Sequence, residues 1–259
     1  MRRCGNEYRL AAARSRGKCN MTAFVAATDG DHMANLIAAA VFFLGIHFGV
    51  SGTRLRDRLV RVVGEKPFRG LFALTSIIGL IWMARAYAHA PHVALWGQLI
   101  VLKPLALPLV LIAFLFIVIG VTTPSPTTAG MESQLARDVQ VRGMLRITRH
   151  PFLWGTALWA LVHFVINGNA ASSILFGSLL LLALAGTASI DAKRRRNFGE
   201  RWETFARQTS NVPFAAIFAG RNQFGPALRE IGLVRPLAAI AVFALLFALH
   251  GRLFGALLT

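Results

Sequence analysis

The chain has 259 residues, of which 55% are hydrophobic and 15% charged, yet its formal net charge is +17. With a mean hydropathy of +0.56, this combination excludes an ordinary soluble domain and directs attention to segments long enough to cross a bilayer. A basic excess also suits nucleic acid, but here the cations gather in alternate loops, as the positive-inside rule expects, so no nucleic-acid partner is expected.

In chain order, residues 1–32 come first, with six basic residues between Met1 and Lys18 and no sustained apolar run of the kind a signal peptide needs. They are expected to be a disordered tail, or a leader upstream of a true start at Met33. Both cysteines, Cys4 and Cys19, lie in this stretch, so neither a disulfide framework nor a cysteine metal site is expected. Residues 33–259 are expected to form one membrane domain.

Six apolar runs follow, at residues 34–50, 71–88, 99–121, 152–166, 170–190 and 237–258. They predict an all-α, polytopic membrane helix bundle of about six spans, with the lipid bilayer as its first partner. The cations lie after spans one, three and five: Arg54 to Arg69, then Arg137, Arg142, Arg146 and Arg149, then Lys193 to Arg235. Those loops are expected on the cytoplasmic side of a bacterial inner membrane. Pro124 and Pro126 stop span three because they lack the amide donors a helix needs. The segment after them, 131–147, mixes Leu135, Val139, Leu145 and Ile147 with arginines and predicts a helix lying on the membrane surface. The run Lys193 to Arg196 predicts a stop signal in contact with lipid headgroups.

Ionisable groups inside spans are costly and mark function by default. His47 in span one, His163 in span four and His250 in span six are such groups. A histidine pair on different helices can hold a haem iron from both sides, through neutral imidazoles. At about 1.5 Å per residue, His163 lies ~18 Å and His250 ~20 Å from the inner end of their spans, but His47 only ~8 Å. Depth therefore pairs His163 with His250, and His47 with His150. His150 differs, because Pro151 favours the first helical position and leaves His150 at the helix mouth. Beside Arg146 and Arg149, with free backbone amides behind it, His150 suits an anion or the carboxylate of a cofactor.

The motifs "GIHFGVSGTRLRDRLV", "RHPFLWGTALWALVHFVINGN" and "FGERWETFARQTSNVPF" together resemble the NnrU family of bacterial membrane proteins, which are associated with nitrite and nitric oxide reduction. That family is similar to the cis-ζ-carotene isomerases, haem b proteins with a redox-dependent mechanism. The resemblance implies haem b, with His47 and His163 as axial and metal ligands, and is preferred here over the depth pairing. Ala160 stands where the isomerases have a cysteine, which removes an alternative iron ligand. The Arg-His-Pro mouth also resembles the isoprenylcysteine carboxyl methyltransferase group, which implies S-adenosylmethionine among Arg149, His150, Asp191 and Glu200. The expected function is thus redox-linked isomerisation of a lipophilic substrate, or support of nitrogen-oxide respiration. The alternatives are a methyltransferase at the cytoplasmic interface, or a maturation factor for a respiratory complex.

Overall fold

The computed structural model describes residues 29–51, 53–128, 130–132, 135 and 140–254. Residues 1–28 with both cysteines, Arg137, Val139 and the last four positions of the sixth apolar run lie outside the described residues.

Eleven helices are described. The long ones are α1 (Asp29–Ser51), α3 (Glu65–His89), α4 (Lys103–Thr122), α7 (Ala170–Phe198) and α11 (Val234–Phe254). All five are long and apolar enough to cross a membrane; α6 (Pro151–Asn167), equally apolar, is shorter at 17 residues. The helices carry many exposed large apolar side chains, among them Val41, Ile77, Ile81, Val101, Leu237 and Leu245. Water does not tolerate such continuous apolar surface, and a bilayer requires it. The chain is an integral membrane protein built as a helix bundle. Among the described residues the only extended pairing is an isolated bridge between Ala94 and Asn169.

The first helix begins at Asp29, so residues 29–32, assigned to the leader on sequence, continue span one. His32 stacks on His89 of α3 there, with ring centroids 6.1 Å apart. The last turn of α1, Ile46–Ser51, is π-helical and contains His47. Such turns are rare and are frequent at functional sites.

Packing centres on α4, α6 and α7. Gly120 and Gly155 let α4 and α6 meet backbone to backbone: a β-carbon at 155 would lie 2.7 Å from the Ala113 carbonyl oxygen, and one at 120 would lie 2.6 Å from the Phe152 amide nitrogen. No side chain relieves contacts that close, because backbone atoms form the other side. Gly155→Leu is expected to part the two helices and cost about 1–3 kcal/mol or more, read as a lower melting temperature in detergent. At the outer end Gly168 ends α6 in the left-handed region, φ 56. Its carbonyl accepts the amides of Leu95, Trp96 and Gly97 at 2.9, 3.2 and 3.1 Å, which folds the α3–α4 loop over the α6–α7 hairpin.

On the inner side the short helices α2 (Arg54–Val63), α5 (Met144–Ile147), α8 (Glu200–Gln208), α9 (Ala215–Phe218) and α10 (Phe224–Ile231) form a layer under the bundle. The surface helix expected over 131–147 is absent from the described part of that segment. Only Met144–Ile147 is an α-helix, and Leu135, Leu145 and Ile147 are buried. Leu135 and Leu145 pack with Trp202 and Phe205, while Met144 and Ile147 pack with Ile119, Ala227 and Ile231. Tertiary burial took these side chains from the lipid.

One ion pair pins this layer. Arg146 Nε and Nη2 donate to the two Glu230 carboxylate oxygens at 2.8 and 2.9 Å, and the Gly143 amide donates to the same group at 2.7 Å. The hydrogen bond from Arg146 holds the Glu230 carboxyl far below the usual range, at about 2. A depressed carboxyl contributes stability above its unfolded value and loses it as the pH falls through the folded one. The tie between α5 and α10 is therefore expected to hold at pH 5 and to loosen as the pH falls from about 4.5 towards 2, seen as faster hydrogen exchange at Gly143.

Candidate functional site

Two places bring together the side chains singled out on sequence. The first is the inner mouth of α6. Thr148, Arg149 and His150 lead into Pro151, held from two sides: the Arg149 amide donates to the Ser210 carbonyl at 2.9 Å, and Thr127 Oγ1 donates to the Arg149 carbonyl at 2.6 Å. This aims both side chains, Arg149 and His150, at α7. There Asp191 waits, near the end of the apolar run.

Arg149 Nε lies 3.0 and 3.1 Å from the two Asp191 oxygens, and its Nη2 also donates to Oδ2. His150 Nε2 donates to Asp191 Oδ1 at 2.7 Å, and Asn211 Nδ2 donates to Oδ2 at 3.3 Å. Asn211 in turn accepts from Trp154 Nε1 at 3.3 Å, and the Arg149 guanidinium lies 5.6 Å from the centre of the Trp202 ring. His150 is only 2% exposed. Burial pushes its imidazole below the ordinary histidine value, against the hydrogen bond it donates to Asp191, which favours the charged form.

The anion that meets Arg149 and His150 in this structure is thus the chain's own carboxylate. Arg146, expected beside them, turns away to Glu230. Glu200, grouped with Asp191 on sequence, stands exposed at the start of α8. Sequence reasoning missed Asn211 and Trp154, which carry no charge to betray them. It also expected the Lys193 to Arg196 run to face headgroups, whereas Arg194 is buried: its Nε donates to the Pro126 carbonyl at 2.9 Å, and its Nη2 to Glu132 at 2.9 Å.

The second place is inside the bundle. His163 Nδ1 lies 2.8 Å from the Trp159 carbonyl and His47 Nδ1 2.7 Å from the Phe43 carbonyl. A carbonyl only accepts, so Nδ1 carries the proton and Nε2 keeps the lone pair a metal needs. His89 makes the same contact with Arg85 at an exposed helix end, so the contact alone marks no site. Surroundings distinguish His163: Trp159 and Phe176 lie against it, each 4.8 Å between centroids.

The structure does not bring His47 and His163 to one level. His47 lies against Phe72, 5.2 Å between centroids, whereas His163 lies against Phe176, which meets Tyr87. Phe72 and Tyr87 are fifteen residues, about four turns, apart on α3, so the rings beside the two imidazoles come from different levels of that helix. His163 and His250 do share a level. Gly155 of α6 faces Ala113 and Ile117 of α4, and Phe243 of α11 faces Phe114. Carried outward along these antiparallel helices, His163 and His250 both fall beside Leu107, and they lie within electrostatic reach of each other. Among the described residues no three histidine, cysteine or carboxylate side chains converge as a metal cluster.

Comparison with known proteins agrees with the motifs. The model of the NnrU protein family matches residues 35–257. The chain belongs to the NnrU family. Curated relatives of this family member include 15-cis-zeta-carotene isomerase, chloroplastic, of Zea mays, 26% identical over 242 residues, covering 85% of this chain and 60% of that protein. The protein of the same name from Arabidopsis thaliana is 27% identical over 227 residues, covering 80% of this chain and 56% of its own length. The chain thus spans under two thirds of the length of these relatives. No solved structure matches.

Proposed function

We propose that this NnrU-type protein isomerises a lipophilic polyene, as the name of its relatives states for them, and that it does so by redox-linked chemistry with haem b bound within its outer half. The single observation that carries this reading is His163: an imidazole deep in a span, with Nδ1–H donated to Trp159 and Nε2 left as a ligand, walled by Trp159 and Phe176. The donor set fits a haem, since neutral imidazoles on neighbouring helices are the usual axial pair. His163 would supply one ligand, and its level supports His250 of α11 as the second in place of His47. When bound, haem supplies one-electron chemistry to a reaction that changes no composition, only the geometry of a double bond.

The chain's own part is to bind, to orient and to keep water out. Apolar walls from α4, α6 and α7 suit a hydrocarbon substrate arriving from the bilayer. The buried Arg149, His150 and Asp191 cluster fixes the inner ends of α6 and α7, and with them the depth of His163. The cation-rich inner layer supports an orientation with α2, α5 and α8 to α10 in the cytoplasm of a bacterial cell. Purified protein in lipid nanodiscs, reduced or oxidised, should be given a 15-cis polyene and the products separated by chromatography. Conversion in one redox state alone is expected; equal conversion in both, or none in either, removes the isomerase reading.

A further inference from the structure

The helix between the first two spans is built for a surface that the bundle does not supply. Residue 52 and Thr53 join α2 to α1, and Gly64 alone joins it to α3, so α2 lies at the level where both spans leave the bilayer. Thr53 fixes its start: Oγ1 accepts the Leu55 amide at 3.1 Å and donates to the Gly49 carbonyl at 2.6 Å, in the π-helical turn of α1. None of its ten residues is buried.

At about 100° per residue, α2 divides into three strips. Arg56, Asp57 and Val60, the least exposed, face the protein; Arg56 donates to Glu65 at 2.6 Å and lies over the Phe68 ring. The outward face carries the other two. Leu55, Leu59 and Val62 form an apolar strip, with Val62 82% exposed, and Arg54, Arg58 and Arg61 form an exposed cationic strip directly beside it. An apolar half next to a cationic half, presented away from the protein at the bilayer surface, is the pattern of a helix lying in the lipid interface. Arginine forks suit phosphate oxygens and reach past an apolar stem to find them.

We propose that α2 docks on the inner leaflet, with Leu55, Leu59 and Val62 among the acyl chains and Arg54, Arg58 and Arg61 on the phosphates of anionic phospholipids. The occupant is lipid because connectivity puts the strip at the leaflet and its charge is complementary to anionic headgroups. The haem reading plays no part in this. Through Thr53, the docked helix also holds the turn that carries His47.

The full chain, in a Cys4→Ser/Cys19→Ser background, is placed in nanodiscs of phosphatidylcholine alone or mixed with phosphatidylglycerol. A nitroxide on Val62→Cys is expected to be reached by oxygen and shielded from an aqueous nickel chelate. The melting temperature of the unsubstituted helix should rise with phosphatidylglycerol. Arg54→Gln/Arg58→Gln/Arg61→Gln should lose most of that rise while melting normally in phosphatidylcholine. A Val62 label open to the chelate, which would leave the strip to water or to a protein partner, overturns the proposal. So does a rise that is absent in the parent protein or kept in full by the triple variant.

Discussion

Asp191→Ala is expected to lower the stability of the folded protein by about 3–5 kcal/mol, the cost of leaving a buried charge without its counterion. Asp191 accepts from Arg149, His150 and Asn211, and all of these donors lose their partner at once. The Arg149 and Asp191 side chains are 12% and 11% exposed, so water cannot replace the carboxylate. The loss should appear as a lower melting temperature, with fraying of the inner ends of α6 and α7 in hydrogen exchange. Arg195→Ala provides the contrast: its pair with Glu203 is formed by side chains 59% and 39% exposed, and its removal should leave the melt unchanged. If both variants melt alike, the buried cluster is not what ties the two helices.

The membrane bundle was legible in the sequence because a span must be apolar along its whole length, and each run does this locally. Even the shortness of α6 was visible, since Pro151 and Gly168 bound it chemically. The inner layer was not legible. Its short helices are held by contacts such as Arg146 with Glu230, 84 positions apart, and no local pattern encodes such a pair. Burial of Leu135 and Leu145 under Trp202 and Phe205 is the same kind of fact: a mixed apolar and basic segment suits a lipid surface or a protein surface equally well.

The site was legible in part. Pro151 announced His150 as a helix-mouth residue, and Asp191 was named only through the methyltransferase resemblance. That one would satisfy the other required tertiary structure. For the intramembrane histidines, the contacts of His47 with Phe72 and of His163 with Phe176 mark their separation, and no residue count supplies those contacts. The motif match gave the family.

The second large effect follows from that separation. His163→Ala is expected to abolish haem binding, because no other imidazole shares its place between Trp159 and Phe176. His250→Ala should leave a weakly held, five-coordinate haem. His47→Ala should leave the haem spectrum unchanged, since its ring lies against Phe43 and Phe72 at the inner end of the bundle. Melting curves of all three variants guard against loss of fold.

The most direct test is the reduced-minus-oxidised absorption spectrum of the purified full chain and these three variants, normalised to protein and iron. A low-spin haem b spectrum is expected in the parent, lost with His163→Ala, shifted to five-coordinate with His250→Ala and retained with His47→Ala. A parent protein without Soret absorbance and without iron after purification from haem-replete cells, or one whose spectrum survives His163→Ala, would contradict it.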